Sequence, residues 1–319
     1  MSRSVGLVSC PVPSVVSYST KLTTGCGRLS PMVPAVGDVA LTGLCQLADF
    51  VALRPWMAEM VPFGRQSFGP QFPVGREYRK HWEVAQAGRA LAATGCLTPG
   101  SDILGVGAGN EPTIFWLTNY TRRVFATDLY LSEGWEESAN SSMLISPRSD
   151  WFGEWNPRRL VAQHMDGRDL RYEDNSFDGA FSSSSIEHFG DWADVAQAVS
   201  EVYRVLRPGA VFSVSTEYRL AGPSPGLPGI LMFDRAQLTE YVIDAMPGEV
   251  VGPANWDDPR QGAPTVSFDE AAAEVRSHME RHGELVWSEL DWPEYPHLVL
   301  GQGDLEWVSV HLTLRKPGQ

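Results

Sequence analysis

The sequence predicts an α/β fold, a doubly wound and mostly parallel sheet, and three observations carry that expectation. Between Asp102 and Thr216 short apolar runs alternate with helical patterns. The turn after the first run contains Gly105, Gly107 and Gly109 and opens a helix at Pro112. The second run ends in a carboxylate, Asp128.

Taken in order, Ile103 to Val106 reads as the first strand of this region, followed by a helix from Pro112 to Asn119. Arg123 to Thr127, Leu160 to His164 and Phe177 to Ser182 read as the next three strands. A helix from Ala193 to Leu206 is stopped by Arg207-Pro208-Gly209, and Ala210 to Thr216 is the fifth strand. Strands joined through helices must run parallel, because the chain crosses back over the sheet each time. Upstream, residues 1–37 are rich in Ser, Thr, Pro and Gly and read as a disordered tail. Residues 38–100 read as a helical segment, with helices from Val39 to Phe50 and from His81 to Leu97; Trp82, Ala85, Leu91 and Ala92 give the latter an amphipathic stripe. Downstream, helices are expected near Ala236 to Met246 and Asp269 to His282, then strands Glu284 to Leu290 and Trp307 to Arg315 as an antiparallel C-terminal pair.

A net charge of −14, from 39 acidic against 25 basic side chains, repels phosphate backbones and anionic lipid headgroups. Nucleic acid and membrane surfaces are therefore not expected as partners, and the only basic cluster is Arg76, Arg79 and Lys80. Cys10, Cys26, Cys45 and Cys96 form no C-x-x-C pair, which fits a reducing, cytoplasmic setting. No run of about 18 apolar residues, the length needed to cross a bilayer, occurs.

The chemistry starts at Asp102-Ile-Leu-Gly-Val-Gly-Ala-Gly-Asn-Glu111. Missing Cβ atoms let a ligand approach the backbone, and glycine accepts the positive φ of such a turn. The same turn serves tight packing equally well. Val124-Phe-Ala-Thr-Asp128 places a carboxylate where it can accept both ribose hydroxyls of an adenosine-containing cofactor, although a helix cap looks alike in sequence.

A third segment is more specific. Asp166-Gly-Arg-Asp-Leu-Arg-Tyr-Glu-Asp-Asn-Ser-Phe-Asp178 is followed by Ser182-Ser-Ser-Ser-Ile-Glu-His188 and by Glu201-Val-Tyr-Arg-Val-Leu-Arg-Pro-Gly209. The order and spacing of these segments resemble class I S-adenosylmethionine-dependent methyltransferases of the small-molecule type, over about two thirds of the chain. The resemblance implies a Rossmann-like, seven-stranded sheet in residues 101–319 and S-adenosyl-L-methionine as cofactor. It implies that Gly105, Gly107, Ala108 and Gly109 form the cofactor turn, with the last three facing the methionine portion. Asp128 then holds the ribose beside Leu129, Asp166 accepts from the adenine amino group near the backbone of Gly167, and Ser182 and Ser183 line the pocket by the reactive methyl. Where the family usually has an acid this chain has Gly105, and where it has a glycine this chain has Glu111, whose carboxylate either reaches the cofactor's ammonium group or caps the helix.

Methyl transfer to an alcohol needs a proton removed as the bond forms, and the resemblance sets His188, with Glu187 beside it, next to the methyl position. Glu187-His188 also resembles the end of an E-x-x-E-H metal set, but Ser184 stands at the earlier acidic position, so no metal is expected. His278 and His282, at i and i+4, read as a solvated helix surface. Trp135, Trp151 and Trp155 in the insertion after the second strand read either as a rim for flat ligands or as core. The expected function is methyl transfer to a hydroxyl of a small molecule or glycan. N-methylation and a non-catalytic cofactor-binding module are the alternatives.

Overall fold

In the computed structural model of the protein, which describes residues 41, 43–48, 56–58, 78–134, 138–147, 154–283, 290 and 297–318, the apolar runs become the strands of one sheet. These are β1 (Cys45–Leu47), β2 (Asp102–Val106), β3 (Arg123–Asp128), β4 (Leu160–His164), β5 (Phe177–Ser183) and β6 (Leu206–Ala221). A small hairpin, β7 (Gly226–Leu227) with β8 (Ile230–Leu231), stands apart. The sheet continues with β9 (Glu249–Val250), β10 (Ala254–Asn255), β11 (Thr265–Ser267), β12 (Val299–Gln302) and β13 (Leu305–Arg315). The helices are α1 (Arg79–Ala93), α2 (Pro112–Leu117), α3 (Ser142–Ile145), α4 (Trp192–Val205), α5 (Arg235–Leu238) and α6 (Phe268–His282).

The strand order is β10-β1-β13-β6-β5-β2-β3-β4, and β2 to β6 are mutually parallel. The chain winds outward from β2 through β3 to β4, then returns to β5 on the other side of β2. That reversal opens a crevice at the carboxyl ends of β2 and β5, where open α/β sheets bind ligands. β13 runs antiparallel to β6 from Arg315 opposite Val211 to Glu306 opposite Ala221. It also pairs antiparallel with β12 across a turn at Gly303 and Asp304.

The doubly wound reading holds, with a different strand count. Among the described residues the sheet has eleven strands where seven were expected: six of the expected ones, with β1 and the short β9, β10, β11 and β12 gathered beyond β13. The helix expected from Val39 to Phe50 is replaced at Cys45–Leu47 by β1, which lies antiparallel along Val310–Leu312 of β13. An edge with free N–H and C=O groups there outweighs a local helical pattern. Of the strand expected at Glu284 to Leu290, only Leu290 is among the described residues, and residues 1–37 lie outside them.

Two helices depart from their expected surroundings. α1 is buried on nearly all sides, its polar Arg79, His81, Glu83 and Gln86 included, because it lies against β5, β6 and β13. Its C-cap is Thr94, short of the expected end at Leu97. In α6, His278 is fully buried rather than solvated and stacks on His282 at 4.4 Å. α4 is the ordinary case. Asp191 caps it by accepting from the N–H groups of Ala193 and Asp194, and Val195, Val199 and Val202 form its buried stripe.

Phe212 in β6 is 1% exposed and packs in the largest apolar cluster, so Phe212→Ala should lower the unfolding free energy by about 3–5 kcal/mol in urea titrations.

Candidate active site

The crevice holds a cavity of about 540 Å³, and its walls follow from what ends each strand. β2 stops where Gly107 (φ +59°) and Gly109 (φ +49°) take left-handed conformations. A Cβ on Gly109 would stand 2.2 Å from the carbonyl oxygen of Ser138, and one on Gly107 2.6 Å from the Cβ of Ser185. Only glycine fits either position. The turn is then tied down from several directions. Ala108 N–H donates to Thr127 O (3.1 Å), Tyr130 Oη donates to Gly109 O (2.7 Å), and Asn110 N–H donates to Ser138 O (2.9 Å).

Asp128, the last residue of β3, joins this turn to its own strand. Gly109 N–H donates to Oδ2 (2.7 Å) and Leu129 N–H donates to Oδ1 (2.6 Å). Burial pushes the carboxyl pKa up, against these two N–H groups, which favour the charged form. Each oxygen keeps a further lone pair for a ligand hydroxyl.

Glu111 caps α2 from an extended backbone, but its side chain makes no cap hydrogen bond. Its carboxyl lines the cavity, Oε1 is buried without a partner, and burial raises the pKa well above the ordinary range. A cationic ligand group fits this position, because it would supply the missing donor and the missing charge.

Asp166 also lines the cavity, with both oxygens engaged by the Arg168 side chain (2.7 Å at the closest) while Arg168 reaches on to Asp194 (3.0 Å). The Arg168 side chain holds the Asp166 carboxyl below the usual carboxylate range. Leu129 and Gly167 share this wall, and a Cβ on Gly167 would press on the Phe189 ring at 2.9 Å.

At the end of β5 the expected residues separate. Ser183 lines the cavity with its side chain toward the Glu111 carboxyl, whereas Ser182 is buried behind it. Gly105 does not line the cavity. A Cβ there would stand 2.8 Å from both Ala108 Cβ and the Phe181 ring, so its role is packing. His188 lines the cavity, and its Nδ1 is 2.9 Å from Gly229 O. A carbonyl only accepts, so Nδ1 is the donor in this contact. Glu187 is buried away from the cavity, accepting from Thr216 Oγ1 (2.8 Å) and Ser184 Oγ (2.5 Å).

Sequence reasoning missed the opposite wall. Arg79 and Lys80 from α1 meet Glu217 from β6 there, at 2.5 and 3.1 Å, and all three line the cavity. Glu83 completes the cluster, 3.3 Å from Arg79 and 3.2 Å from Lys80. Burial works against the charge of Glu217, but Arg79 and Lys80 outweigh it and hold the carboxyl at about 2. Ser184, a non-glycine at φ +50°, accepts a hydrogen bond from Lys80. The one signal was the basic Arg76, Arg79 and Lys80 cluster, which reads as surface until its acidic partners are known. Among the described residues no three His, Cys, Asp or Glu side chains form a metal set, and no helix is long and apolar enough to cross a membrane.

Comparison with known proteins bears on the same region. Residues 104–214 match the family described as "Methyltransferase domain". Over 115 residues the chain is 34% identical to 27-O-demethylrifamycin SV methyltransferase from Amycolatopsis mediterranei (strain S699), a match covering 35% of this chain and 37% of that protein. The chain thus spans little more than a third of the length of that curated relative. Among solved structures, the YcgJ protein of Bacillus subtilis aligns at a TM-score of 0.48 and 16% identity, over 75% of this chain and all of that one. Phosphoethanolamine N-methyltransferase 2 of Haemonchus contortus aligns at 0.44 and 19%, over 72% of this chain and 51% of that one. The matched residues contain β2 through most of β6, the glycine turn and Asp128. Over that third of the chain the residues match a methyltransferase domain.

Burial of Glu111 has a consequence in the unliganded protein. The folded state keeps this proton at pH values where the unfolded chain, titrating near 4.5, has lost it, so stability falls as pH rises above that value. Glu111→Gln should flatten this fall and raise the melting temperature near neutrality, as thermal unfolding across the pH range will show.

Proposed function

We propose that the protein transfers the methyl group of S-adenosylmethionine to a hydroxyl of a small molecule or glycan. The observation that carries the reading is the convergence of the glycine turn, the Asp128 carboxylate and the unpartnered Glu111 oxygen on one cavity. When bound, S-adenosylmethionine supplies an activated methyl group. The chain's own work is to bind, align and exclude water. Asp128, already held by two N–H groups, accepts the ribose hydroxyls with its remaining lone pairs. Glu111 receives the ammonium group, which relieves its buried, unpartnered state. Asp166, kept ionised by Arg168, offers an acceptor to the adenine amino group beside Leu129 and Gly167. Gly107, Ala108 and Gly109 leave room for the methionine portion, and the Ser183 hydroxyl faces the reacting end. His188, fixed through Nδ1 by Gly229 O, takes the acceptor's proton at Nε2. Glu187 acts from behind, as a positioning residue for Ser184 and Thr216. The likeness to an enzyme named for O-methylation supports a hydroxyl acceptor.

Two measurements test the assignments. Asp128→Ala removes charge-assisted hydrogen bonds of about 1.5–3 kcal/mol, so calorimetry should find S-adenosylmethionine affinity down roughly 10- to 100-fold. Unchanged affinity in the folded variant would remove the ribose role. With labelled cofactor and a panel of phenols, polyols and glycosides, His188→Ala should lower kcat by about 10²–10⁴-fold at near-normal cofactor affinity. A variant with wild-type kcat would leave alignment alone to account for the rate.

A further inference from the structure

The cofactor assignments use the ends of β2, β3 and β5, and they leave one end of the cavity without a ligand. β6 lies on the side of β5 away from β2 and β3. Ser215 of β6 sits beside Ser183 of β5, and Glu217 is the next residue on the same face of that strand. Glu217 therefore lines the cavity on the far side of the reacting end from Asp128.

Its two oxygens have different fates. Oε1 takes hydrogen bonds from Arg79 (2.5 Å), Lys80 (3.1 Å) and Ser184 (3.3 Å). Oε2 is buried without a partner, on a side chain only 4% exposed. A desolvated carboxylate oxygen with no donor is costly, and a group that lines a cavity can be satisfied by what enters it. Arg79 and Lys80 keep Glu217 ionised, so it can accept a hydrogen bond but not give one. An ionised carboxylate or phosphate has no proton to give this oxygen, whereas a hydroxyl has. Low basicity also makes Glu217 a poor proton acceptor in the reaction.

We infer that Glu217 Oε2 binds the methyl acceptor by accepting a hydrogen bond from a second hydroxyl, near the one that is methylated. The acceptor is then a polyhydroxylated molecule. This inference rests on the methyltransferase reading of the cavity. Arg79, Lys80 and Glu83 are positioning residues, which hold the Glu217 side chain in the cavity wall through Oε1.

The test uses full-length protein loaded with S-adenosylhomocysteine, whose affinity is first measured by calorimetry. Catechol and methyl glucopyranoside are titrated by NMR beside their fully O-methylated counterparts, which fill the same space without donors. Wild type should bind at least one hydroxylated probe about tenfold or more tightly than its capped partner. Glu217→Gln should abolish that preference with S-adenosylhomocysteine affinity unchanged. Glu217→Asp keeps the charge against Arg79 and Lys80 but withdraws the oxygen by one methylene, and should lose the preference too, even if the glutamine variant fails to fold. Equal binding of hydroxylated and capped probes by wild type, or a preference that survives in both folded variants, overturns the assignment. Absence of S-adenosylhomocysteine binding would instead strike the methyltransferase reading and this inference with it.

Discussion

The pair of hydrogen bonds from Gly109 N–H and Leu129 N–H to the Asp128 carboxylate is the constraint on which the cavity depends. It joins the turn after β2 to the end of β3, and so fixes the spacing between two parallel strands where their ladder has stopped. Without it, the turn with the left-handed glycines would be held by Thr127, Ser138, Tyr130 and Ser185. The same carboxylate is offered to a ligand, so the group that shapes the turn is also the group that reads what enters it. Orientation achieved this way is in place before the ligand arrives.

The opposite wall is built differently. Arg79, Lys80, Glu83 and Glu217 are two cations and two anions brought together by a helix and a strand far apart in sequence. Burying such a set costs more in desolvation than a surface pair and recovers it only when nearly every donor and acceptor is matched. Ser309 and Ser184 supply additional partners, and Glu217 Oε2 remains the exception. Burial raises the Glu83 carboxyl while the cations hold Glu217 low, so two neighbouring glutamates differ in basicity by position alone.

The sheet was legible in the sequence because its strands are short, apolar and bounded by turn residues: Leu160 to His164 is read with both ends correct. The glycine turn and Asp128 were legible for a related reason, since local backbone geometry demands those residue types. β1 was not, because Cys45–Leu47 becomes a strand only through Val310–Leu312, and nothing near it in sequence carries that information. Lys80 and Glu217 were hidden likewise. A charged residue inside a helical pattern looks like solvent-facing surface until the element that neutralises it is known. Ser182 and Ser183 show the remaining gap, since strand alternation sends one behind the wall and the other into the cavity.

The position of β13 bears on how the chain assembles during synthesis. This strand lies between β6 and β1 and also borders β9 and β12, so one segment near the end of the sequence joins both flanks of the sheet. Through Ser309 it also contacts the buried charges of α1. β1 is translated well before the strand it pairs along. While residues 222–304 are made, the free edge of β6 stays without its β13 neighbour, so the nascent chain carries an adhesive edge over that interval. A topology so dominated by distant pairings folds slowly for its size.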